Sequence, residues 1–254
     1  MLVKDRTVVV TGAGNGIGRA MAERFAAEGA KTVVVSDVDE ALMTEVADGI
    51  GAPRRRCDVG DAADLRSFID WVEGDIGPID LFCSNPAVFG GPEGPGLEQT
   101  EETLDRSWRV NVLSHIRTAQ QLVPRMVERG GGYFLQTLSA AALVTGRPMA
   151  YTVTKHAGLG FAEWLVLNHG RQGIKVSCLC PTAVETRPGQ FDQTPEIGLV
   201  QRPEDIADDV VKGLDAETFL ILPNPAVGGS FRKKATDYDA WIRYTTERLT
   251  KMGR

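Results

Sequence analysis

The opening of the chain places a β-branched run, a glycine-rich turn and a helix in direct succession. Residues 6–11, Arg-Thr-Val-Val-Val-Thr, have the composition of a short buried strand. Four glycines follow within residues 12–18, and a helical pattern then continues to Gly29. Glycines permit a tight turn and the close approach of a pyrophosphate, while a helix N-terminus offers free N–H groups. The segment therefore predicts the first unit of a parallel sheet and a dinucleotide site at its turn.

The same alternation of strands and helices continues along the chain. Further strand-like runs occupy residues 31–36, 54–57, 79–83, 132–138, 174–180 and 219–222. Helical patterns lie between them, including a long stretch over 101–129 that Pro124 should kink or interrupt. These seven units predict an α/β fold, a single doubly wound, Rossmann-type parallel sheet of about seven strands with helices on both faces. We expect one domain over 1–254, with a C-terminal helical extension at about 235–252.

Charge and hydropathy exclude several classes of function. The net charge of −6 and the pI near 5.2 argue against a nucleic-acid or anionic-membrane partner. No apolar run approaches the roughly 20 residues that span a bilayer, and the first residues lack an apolar signal core, so we expect a cytoplasmic protein. The four cysteines fall in or at the end of strand-like runs and are interpreted as buried thiols, and the three histidines complete no ligand spacing, so no metal site is predicted.

An aspartate ends the second strand. Asp37 follows Gly18 by 19 residues (37 − 18), close to the interval at which an acid meets the adenosine ribose. A carboxylate there accepts hydrogen bonds from the ribose hydroxyls and repels a 2′-phosphate, which favours NAD and makes NADP the less favoured cofactor. The alternative is that Asp37 is the N-cap of a helix over 39–48.

A tyrosine and a lysine share one helix face. Tyr151 and Lys155 are four residues apart, one helical turn. A positive ammonium beside a phenol favours the phenolate and lowers its pKa towards the range needed for proton transfer at neutral pH. The alternative for this pair taken alone is a chance placement on one helix face.

With these residues in view, the chain resembles the short-chain dehydrogenase/reductase family over roughly residues 6–186. Thr11-Gly12-x-x-x-Gly16-x-Gly18 matches the family's cofactor fingerprint, and Tyr151-x-x-x-Lys155 matches its catalytic pair. The resemblance implies four catalytic residues: Asn111, Ser139, Tyr151 and Lys155. It also implies a set of cofactor-binding residues: Gly12, Asn15, Gly16, Ile17, Gly18, Asp37, Asp58, Val59, Asn85, Ala87, Tyr151, Lys155, Pro181, Val184 and Thr186.

The mechanism implied by the resemblance is hydride transfer coupled to proton transfer. Tyr151 would exchange a proton with the alcohol or ketone, and Lys155 would hold the nicotinamide ribose. Ser139 would bind the substrate oxygen. Asn111 would hold a water that connects Lys155 to solvent.

Three segments depart from the family pattern. Ser84-Asn85-Pro86-Ala87 replaces Asn-Asn-Ala-Gly, and Pro181-Thr182 replaces Pro-Gly. Ser139 precedes Tyr151 by 12 residues (151 − 139), one fewer than the family interval. A one-residue deletion within 143–150 keeps Ser139 at the end of its strand.

Two functions remain open at this point. The first is an NAD-dependent dehydrogenase or reductase for a small-to-medium, mostly apolar secondary alcohol or ketone, with Phe89, Leu143 and residues 187–200 supplying apolar walls. Arg187 could bind a substrate anion, although a surface charge is the simpler interpretation. The second is a catalytically weak NAD-binding sensor or assembly protein, suggested by the altered segments. In either case a homo-oligomer is expected, a homodimer slightly ahead of a homotetramer, with a stripe of C-terminal residues available for packing: Trp241, Tyr244, Arg248 and Met252.

Overall fold

A parallel sheet runs through the centre of the molecule. The computed structural model describes residues 2–91, 94, 96–145, 148–185 and 200–251. Within these ranges the sheet has six strands, arranged in the order β2-β1-β3-β4-β5-β6. The strands are β1 (Thr7–Thr11), β2 (Thr32–Ser36), β3 (Leu81–Ser84), β4 (Gly132–Thr137), β5 (Ile174–Leu179) and β6 (Leu220–Ile221). Every neighbouring pair is parallel.

Helices connect the strands and extend beyond the last one. Several begin at side-chain caps, as where Asp39 and Asp61 accept the first N–H groups of the second and third helices. The α-helices are α1 (Gly16–Ala27), α2 (Glu40–Ile50), α3 (Ala62–Trp71), α4 (Glu101–Trp108), α5 (Ser114–Glu128), α6 (Met149–His169), α7 (Pro203–Asp215), α8 (Pro225–Thr236) and α9 (Tyr238–Lys251). None of the helices in the described part of the chain is long and apolar enough to cross a membrane.

Both faces of the sheet are covered, as the sequence predicted. Alternate residues of each strand enter different cores, so Val9 and Phe82 belong to one while Val8 and Leu81 belong to the other. The first core also contains buried residues of α3, α5 and α6, and the second contains buried residues of α1, α2 and α7. The prediction of a doubly wound α/β sheet is therefore confirmed.

The strand predicted at 54–57 is reduced to a single bridge. Arg54 pairs with Val35 at an isolated parallel bridge, and the backbone of Pro53 and Arg55 also bonds to Val35. Arg54 and Arg56 are exposed, so this edge segment has few apolar side chains to bury. Six strands thus replace the expected number of about seven.

The helical stretch over 101–129 is interrupted, but not at Pro124. A π-helical turn, Arg109–Leu113, separates α4 from α5, and α5 continues through Pro124. Leu122, Val123 and Met126 on either side of the proline are buried against the sheet. Their packing holds the helix together where the proline lacks an N–H, so the predicted interruption at Pro124 was wrong in its position, while a kink there stays a prediction.

Two helices form the C-terminal region, where the sequence suggested one from about residue 235. α8 begins at residue 225, with Pro225 in its first turn and the Asn224 side chain accepting the Ala226 N–H. The sequence did not predict this helix because it contains Gly228 and Gly229, and glycine has a low helix propensity. Val227 and the side chain of Trp241 pack against the first core and so anchor the pair.

Candidate active site

The site lies where the strand order reverses. β1 has β2 on one side and β3 on the other, so the turns after β1 and β3 open a crevice between them. A cleft of about 360 Å³ occupies this edge of the sheet. It is lined by Asn15, Gly16, Ile17, Asn85, Ala87, Thr137, Leu138, Ser139, Tyr151, Lys155, Pro181, Thr182 and Val184.

Ten of the residues predicted from the sequence line this cleft, and six others do not. Gly12, Gly18, Asp37, Asp58, Val59 and Asn111 are absent from its lining. Thr186 lies outside the described residues. Thr137, Leu138 and Thr182 line the cleft although the sequence did not single them out for this role. The sequence could have predicted these three residues, because each lies at or just after the carboxyl end of a strand, where the site is expected.

The glycine turn is packed too closely for side chains. Gly12 has a φ of +63°, and a Cβ there would lie 2.9 Å from Cγ of Pro86. A Cβ on Gly18 would overlap the carbonyl oxygen of Gly12. Asn15 caps α1 by accepting the Gly16 N–H at 2.6 Å, and Asn15, Gly16 and Ile17 at the start of this helix line the cleft. Gly12 and Gly18 therefore shape the turn, while residues 15–17 face the space that it encloses.

The segment after β3 is fastened to this turn. Nδ2 of Asn85 donates to the Gly12 carbonyl at 3.1 Å. The hydroxyl of Thr11 donates to the Cys83 carbonyl at 3.0 Å and accepts the Asn85 N–H at 3.4 Å. Pro86, one of the departures from the family pattern, packs directly on Gly12. The altered segment thus keeps the turns after β1 and β3 together.

Asp37 lies beside the glycine turn and does not cap a helix. Oδ2 of Asp37 accepts the Gly14 N–H at 2.9 Å, and Oδ1 accepts the Asp39 N–H at 3.1 Å. The N-cap of α2 is Asp39, whose carboxylate accepts from Ala41 and Leu42. The structure therefore excludes the N-cap alternative for Asp37.

Asp58 and Val59 follow the edge segment next to Asp37. The Cys57 N–H donates to the Asp37 carbonyl at 3.2 Å, which sets the two stretches side by side. Asp58 accepts the Gly60 N–H at 2.8 Å through Oδ1, and Val59 is buried. These residues flank Asp37 at a distance from the lining of the main cleft.

Tyr151 and Lys155 occupy the first turns of α6 and face the cleft together. Nζ of Lys155 lies 5.4 Å from the centroid of the Tyr151 ring and donates to the Thr137 carbonyl at 2.8 Å. Lys155 is completely buried, and this desolvation lowers its pKa from 10.5 to about 8. The ammonium is therefore charged at neutral pH. On its other side Tyr151 contacts Phe89, with ring centroids 4.7 Å apart.

Ser139 reaches the same cleft from the end of β4. Its hydroxyl oxygen accepts the Ala141 N–H at 3.1 Å and caps a short 3-10 turn, Ala140–Ala142. A hydroxyl that accepts from the backbone can still donate its proton to a substrate oxygen. Leu138, the residue at the usual family interval, is almost fully buried, and a Cβ on Gly158 would lie 2.8 Å from it. The placement of Ser139 supports the alignment with a shortened 143–150 connection.

Asn111 acts on the backbone of a neighbouring loop. It lies in the π-helical turn, a deviation often found at functional sites. Its Oδ1 accepts the Val88 N–H and its Nδ2 donates to the Val88 carbonyl, both at 2.8 Å. Nδ2 also donates to Oγ1 of Thr154 at 3.0 Å. The side-chain amide thus ties the loop after β3 to α6, and the water-holding role expected for Asn111 stays a prediction.

A neutral histidine lies near Lys155. His115, at the start of α5, is buried, and burial together with the charge of Lys155 lowers its pKa to about 3. A neutral imidazole adds no charge that would compete with the ammonium of Lys155. Burial likewise raises the pKa of the Cys180 thiol to about 12, so the sulfur beside Lys155 is also neutral at physiological pH.

The segment after β5 lines one side of the cleft, and the structure describes it as far as residue 185. Val184 forms an isolated parallel bridge with Gln201, and both neighbouring backbone bonds of this bridge are present. Residues 186–199 between its two sides are outside the described ranges. The roles suggested for Arg187 and for the apolar residues of 187–200 stay predictions.

Comparison with known proteins supports the grouping that these residues suggest. The family model for short chain dehydrogenases matches residues 6–195. A 1-deoxy-11-beta-hydroxypentalenate dehydrogenase of Streptomyces exfoliatus is 33% identical over 234 residues, which cover 88% of this chain and 85% of that protein. A (+)-cis,trans-nepetalactol synthase of Nepeta racemosa is 31% identical over 198 residues, 72% of each chain.

The fold has counterparts among solved structures. The crystal structure of a short chain dehydrogenase/reductase from Burkholderia phymatum, in complex with NAD, superposes with a TM-score of 0.82. It is 24% identical in sequence, and the match covers 94% of this chain and 96% of that chain. The family model alone spans well over half of the sequence. The chain belongs to the short-chain dehydrogenase/reductase family.

Proposed function

We propose that this protein is an oxidoreductase that transfers a hydride between NAD and a small-to-medium, mostly apolar secondary alcohol or ketone. The observation that carries the proposal is the buried, charged Lys155 beneath Tyr151, in a cleft that Ser139 also lines. An ammonium in this position stabilises the phenolate form of the tyrosine, which acid–base exchange with an alcohol requires.

The glycine turn fits a dinucleotide. Gly12 and Gly18 allow the turn to close tightly, and the N-terminus of α1, where Gly16 and Ile17 line the cleft, would supply N–H groups to a pyrophosphate. Asp37 would accept the adenosine ribose hydroxyls beside Gly14, with Asp58 and Val59 flanking the adenine. Asn85, Ala87, Pro181, Val184 and Thr186 would complete the nicotinamide end. NAD bound here would supply the hydride acceptor for oxidation of the alcohol.

Side chains of the protein carry out the proton transfer to and from the substrate. Tyr151 takes the proton of the alcohol hydroxyl as the carbon is oxidised, and it returns a proton to the carbonyl oxygen in the reverse direction. Ser139 donates a hydrogen bond to the same substrate oxygen and so orients it towards Tyr151. Lys155 remains protonated at neutral pH and stabilises the phenolate, and it would hold the ribose of the nicotinamide when NAD is bound. Asn111 fixes the loop that carries Phe89 against Tyr151.

The walls of the cleft favour an apolar substrate. Leu138 and Val184 line it, and Phe89 contacts the ring of Tyr151 from the loop after β3. The similar protein of Streptomyces exfoliatus is named for a hydroxypentalenate, which supports a hydroxyl-bearing substrate for the present chain.

The alternative is a catalytically weak NAD-binding sensor or assembly protein. One relative is named as a synthase and not as a dehydrogenase, so membership of the family does not by itself fix redox chemistry. The altered segments at 84–87 and 181–182 also favour this alternative. Against it, Asn111, Ser139, Tyr151 and Lys155 are all present, and three of them line one cleft.

Turnover of a panel of alcohols with NAD+, followed by the absorbance of the reduced nicotinamide, tests the proposal. Tyr151→Phe removes the proton-transfer group and keeps the ring that packs on Phe89. We expect its kcat to fall by about 10²- to 10⁴-fold or more, with the Kd for NAD within about twofold of wild type because the ring is retained. Unchanged turnover by Tyr151→Phe would refute the mechanism, and absence of turnover by the wild type on the whole panel would favour the alternative.

Further aspects of the proposal concern assembly and compartment. We infer a homo-oligomer, with a dimer slightly ahead of a tetramer, because α6 exposes the apolar side chains of Val153, Trp164 and Leu167.

We also propose a cytoplasmic location, which four buried, unpaired cysteines support. Fluorescence microscopy of the tagged full chain tests this location, and enrichment in a membrane or secreted fraction would contradict it.

A further inference from the structure

Two buried polar side chains from distant parts of the chain hold the connection between Ser139 and Tyr151. This connection runs over residues 143–150, of which the structure describes 143–145 and 148–150. Lys234 of α8 contacts its first residue, and Gln99 of the loop before α4 contacts its last.

Lys234 fixes the first end. Its side chain is only 7% exposed, and its Nζ donates to the Leu143 carbonyl at 2.9 Å. The rings of Trp241 and Tyr238 lie over the ammonium, with centroids 4.9 and 5.4 Å from Nζ. Among the ion pairs of the described residues none involves Lys234, so one carbonyl and two aromatic faces compensate for its burial. A buried ammonium with these partners holds Leu143 in one place.

Gln99 fixes the second end. Its side chain is 6% exposed, and Oε1 accepts the Ala150 N–H at 2.8 Å. Ala150 is in the first turn of α6, where backbone N–H groups have no acceptor within the helix. Pro148, the N-cap residue, makes no side-chain hydrogen bond to this turn. Gln99 therefore supplies a cap from 51 residues away, directly before Tyr151.

These contacts bracket the two groups that must meet at a substrate oxygen. Leu143 follows Ser139 by four residues (143 − 139), and Ala150 precedes Tyr151 by one. Small displacements between reacting groups carry large rate penalties. We propose that Lys234 and Gln99 are positioning residues that fix Tyr151 relative to Ser139. The inference rests on the proposed function, because it assigns the two contacts a role in that reaction.

Matched variants separate this role from general stability. Lys234→Met keeps the length of the side chain and removes its charge and donors, and Lys234→Arg restores both. Gln99→Met removes the acceptor for Ala150, and Gln99→Glu restores one. The control is Lys233→Met, since Lys233 is the exposed neighbour of Lys234. Each variant is measured for kcat and KM of the alcohol, for the Kd of NAD, for thermal unfolding and for amide hydrogen exchange.

We expect Lys234→Met and Gln99→Met to lower kcat by about ten- to a hundredfold while the Kd of NAD changes by less than about twofold, because the glycine turn is untouched. Amides at 142–144 should exchange faster in Lys234→Met, and the Ala150 amide should exchange faster in Gln99→Met. Lys234→Arg and Gln99→Glu should recover most of kcat, and Lys233→Met should match the wild type.

Lower melting temperatures with unchanged kcat, KM and local exchange would overturn the proposal. If Lys234→Met does not fold, the Gln99 pair decides the question at the other end of the same connection. If the wild type turns over no alcohol, the proposed function fails. Hydrogen exchange then still decides whether the two contacts hold the connection, and unchanged exchange at 142–144 and 150 would refute that as well.

Discussion

Among single residues, Lys155 combines complete burial with a charge at neutral pH. Its ammonium has the Thr137 carbonyl as an acceptor and the Tyr151 ring as a neighbour. Burial lowers its pKa to about 8, so the folded protein holds this proton less tightly than the unfolded chain does. The position is costly for stability at neutral pH and useful for chemistry, because a poorly solvated ammonium acts strongly on the adjacent phenol.

The lowered pKa predicts a specific pH dependence of stability. Between about pH 8 and 10.5 the unfolded chain binds more protons at this lysine, so its contribution to the free energy of unfolding rises with pH. Below about pH 8 the cost of burying the charge is fully present. Lys155→Met has no charge to bury at this position. The free energy of unfolding of the variant minus that of the wild type should therefore fall by about 3 kcal/mol from pH 7 to 10.5.

Urea denaturation of both proteins across this pH range measures the difference. Other titrating groups are common to the two proteins and largely cancel. A difference that stays constant from pH 7 to 10.5 would contradict the assignment of the lowered pKa to Lys155.

A second prediction at the residue scale is that Asp37 sets the preference for NAD over NADP. Its carboxylate lies beside Gly14, where a 2′-phosphate on the adenosine ribose would meet a negative charge. Asp37→Ala should therefore lower the NAD-to-NADP preference in kcat/KM by about tenfold or more, the equivalent of ~1.4 kcal/mol. Steady-state kinetics with both cofactors tests this, and a wild type that already prefers NADP would refute the cofactor assignment.

At the level of secondary-structure elements, the contact between the glycine turn and α1 is set by absent side chains. A Cβ on Gly18 would overlap the Gly12 carbonyl oxygen, which is a backbone atom and cannot swing away. α2 contains a contrasting glycine: Gly49 is exposed, and a Cβ there would meet no atom within 4 Å. The two positions therefore provide a matched pair for the same substitution.

Gly18→Ala should destabilise the protein by about 1–3 kcal/mol through overpacking and should also weaken NAD binding, since the turn must shift. Gly49→Ala should stabilise by about 0.5–1 kcal/mol, because alanine has the higher helix propensity. Chemical denaturation and NAD titration of both variants provide the measurements. Equal effects of the two substitutions would show that the close packing of the turn is not required.

At the scale of the whole molecule, the exposed apolar side chains of α6 bear on assembly. Trp164 and Leu167 are 53% and 81% exposed on α6, the helix that also contains Tyr151 and Lys155. Leu167→Glu places a charge on this face and should convert an oligomer into monomers, since burying an unpaired charge is strongly unfavourable. Light scattering coupled to gel filtration checks the mass, with Leu2→Glu as the control for an exposed leucine elsewhere.

A wild type that is monomeric at all concentrations would refute the homo-oligomer. A Leu167→Glu variant that keeps the wild-type mass would place the interface on another face. The extent of 1–254 as one domain stays a prediction, and a single cooperative unfolding transition by two spectroscopic probes would support it.

The sequence determined the features that depend on neighbouring residues. Residues 6–18 specify a strand and a turn because β-branched residues and glycines have opposite backbone preferences. Tyr151 and Lys155 share a face because one helical turn separates them. The predictions of a strand at 54–57 and of a break at Pro124 were wrong because packing against the sheet, which local sequence does not show, decides both. The arginines at 54–56 gain little burial at the edge, and the buried neighbours of Pro124 hold α5 together.

Only the tertiary structure decided what the polar side chains contact. The side-chain amide of Asn111 hydrogen-bonds the backbone of Val88, 23 residues away, and Lys155 donates to the carbonyl of Thr137, 18 residues away. Gln99 meets Ala150 across 51 residues, and Lys234 meets Leu143 across 91. No local pattern encodes such pairs, because each partner is a backbone group that every residue possesses. The order of residues therefore predicts which side chains form the site, and the packing of the sheet and helices determines the backbone groups that hold those side chains in place.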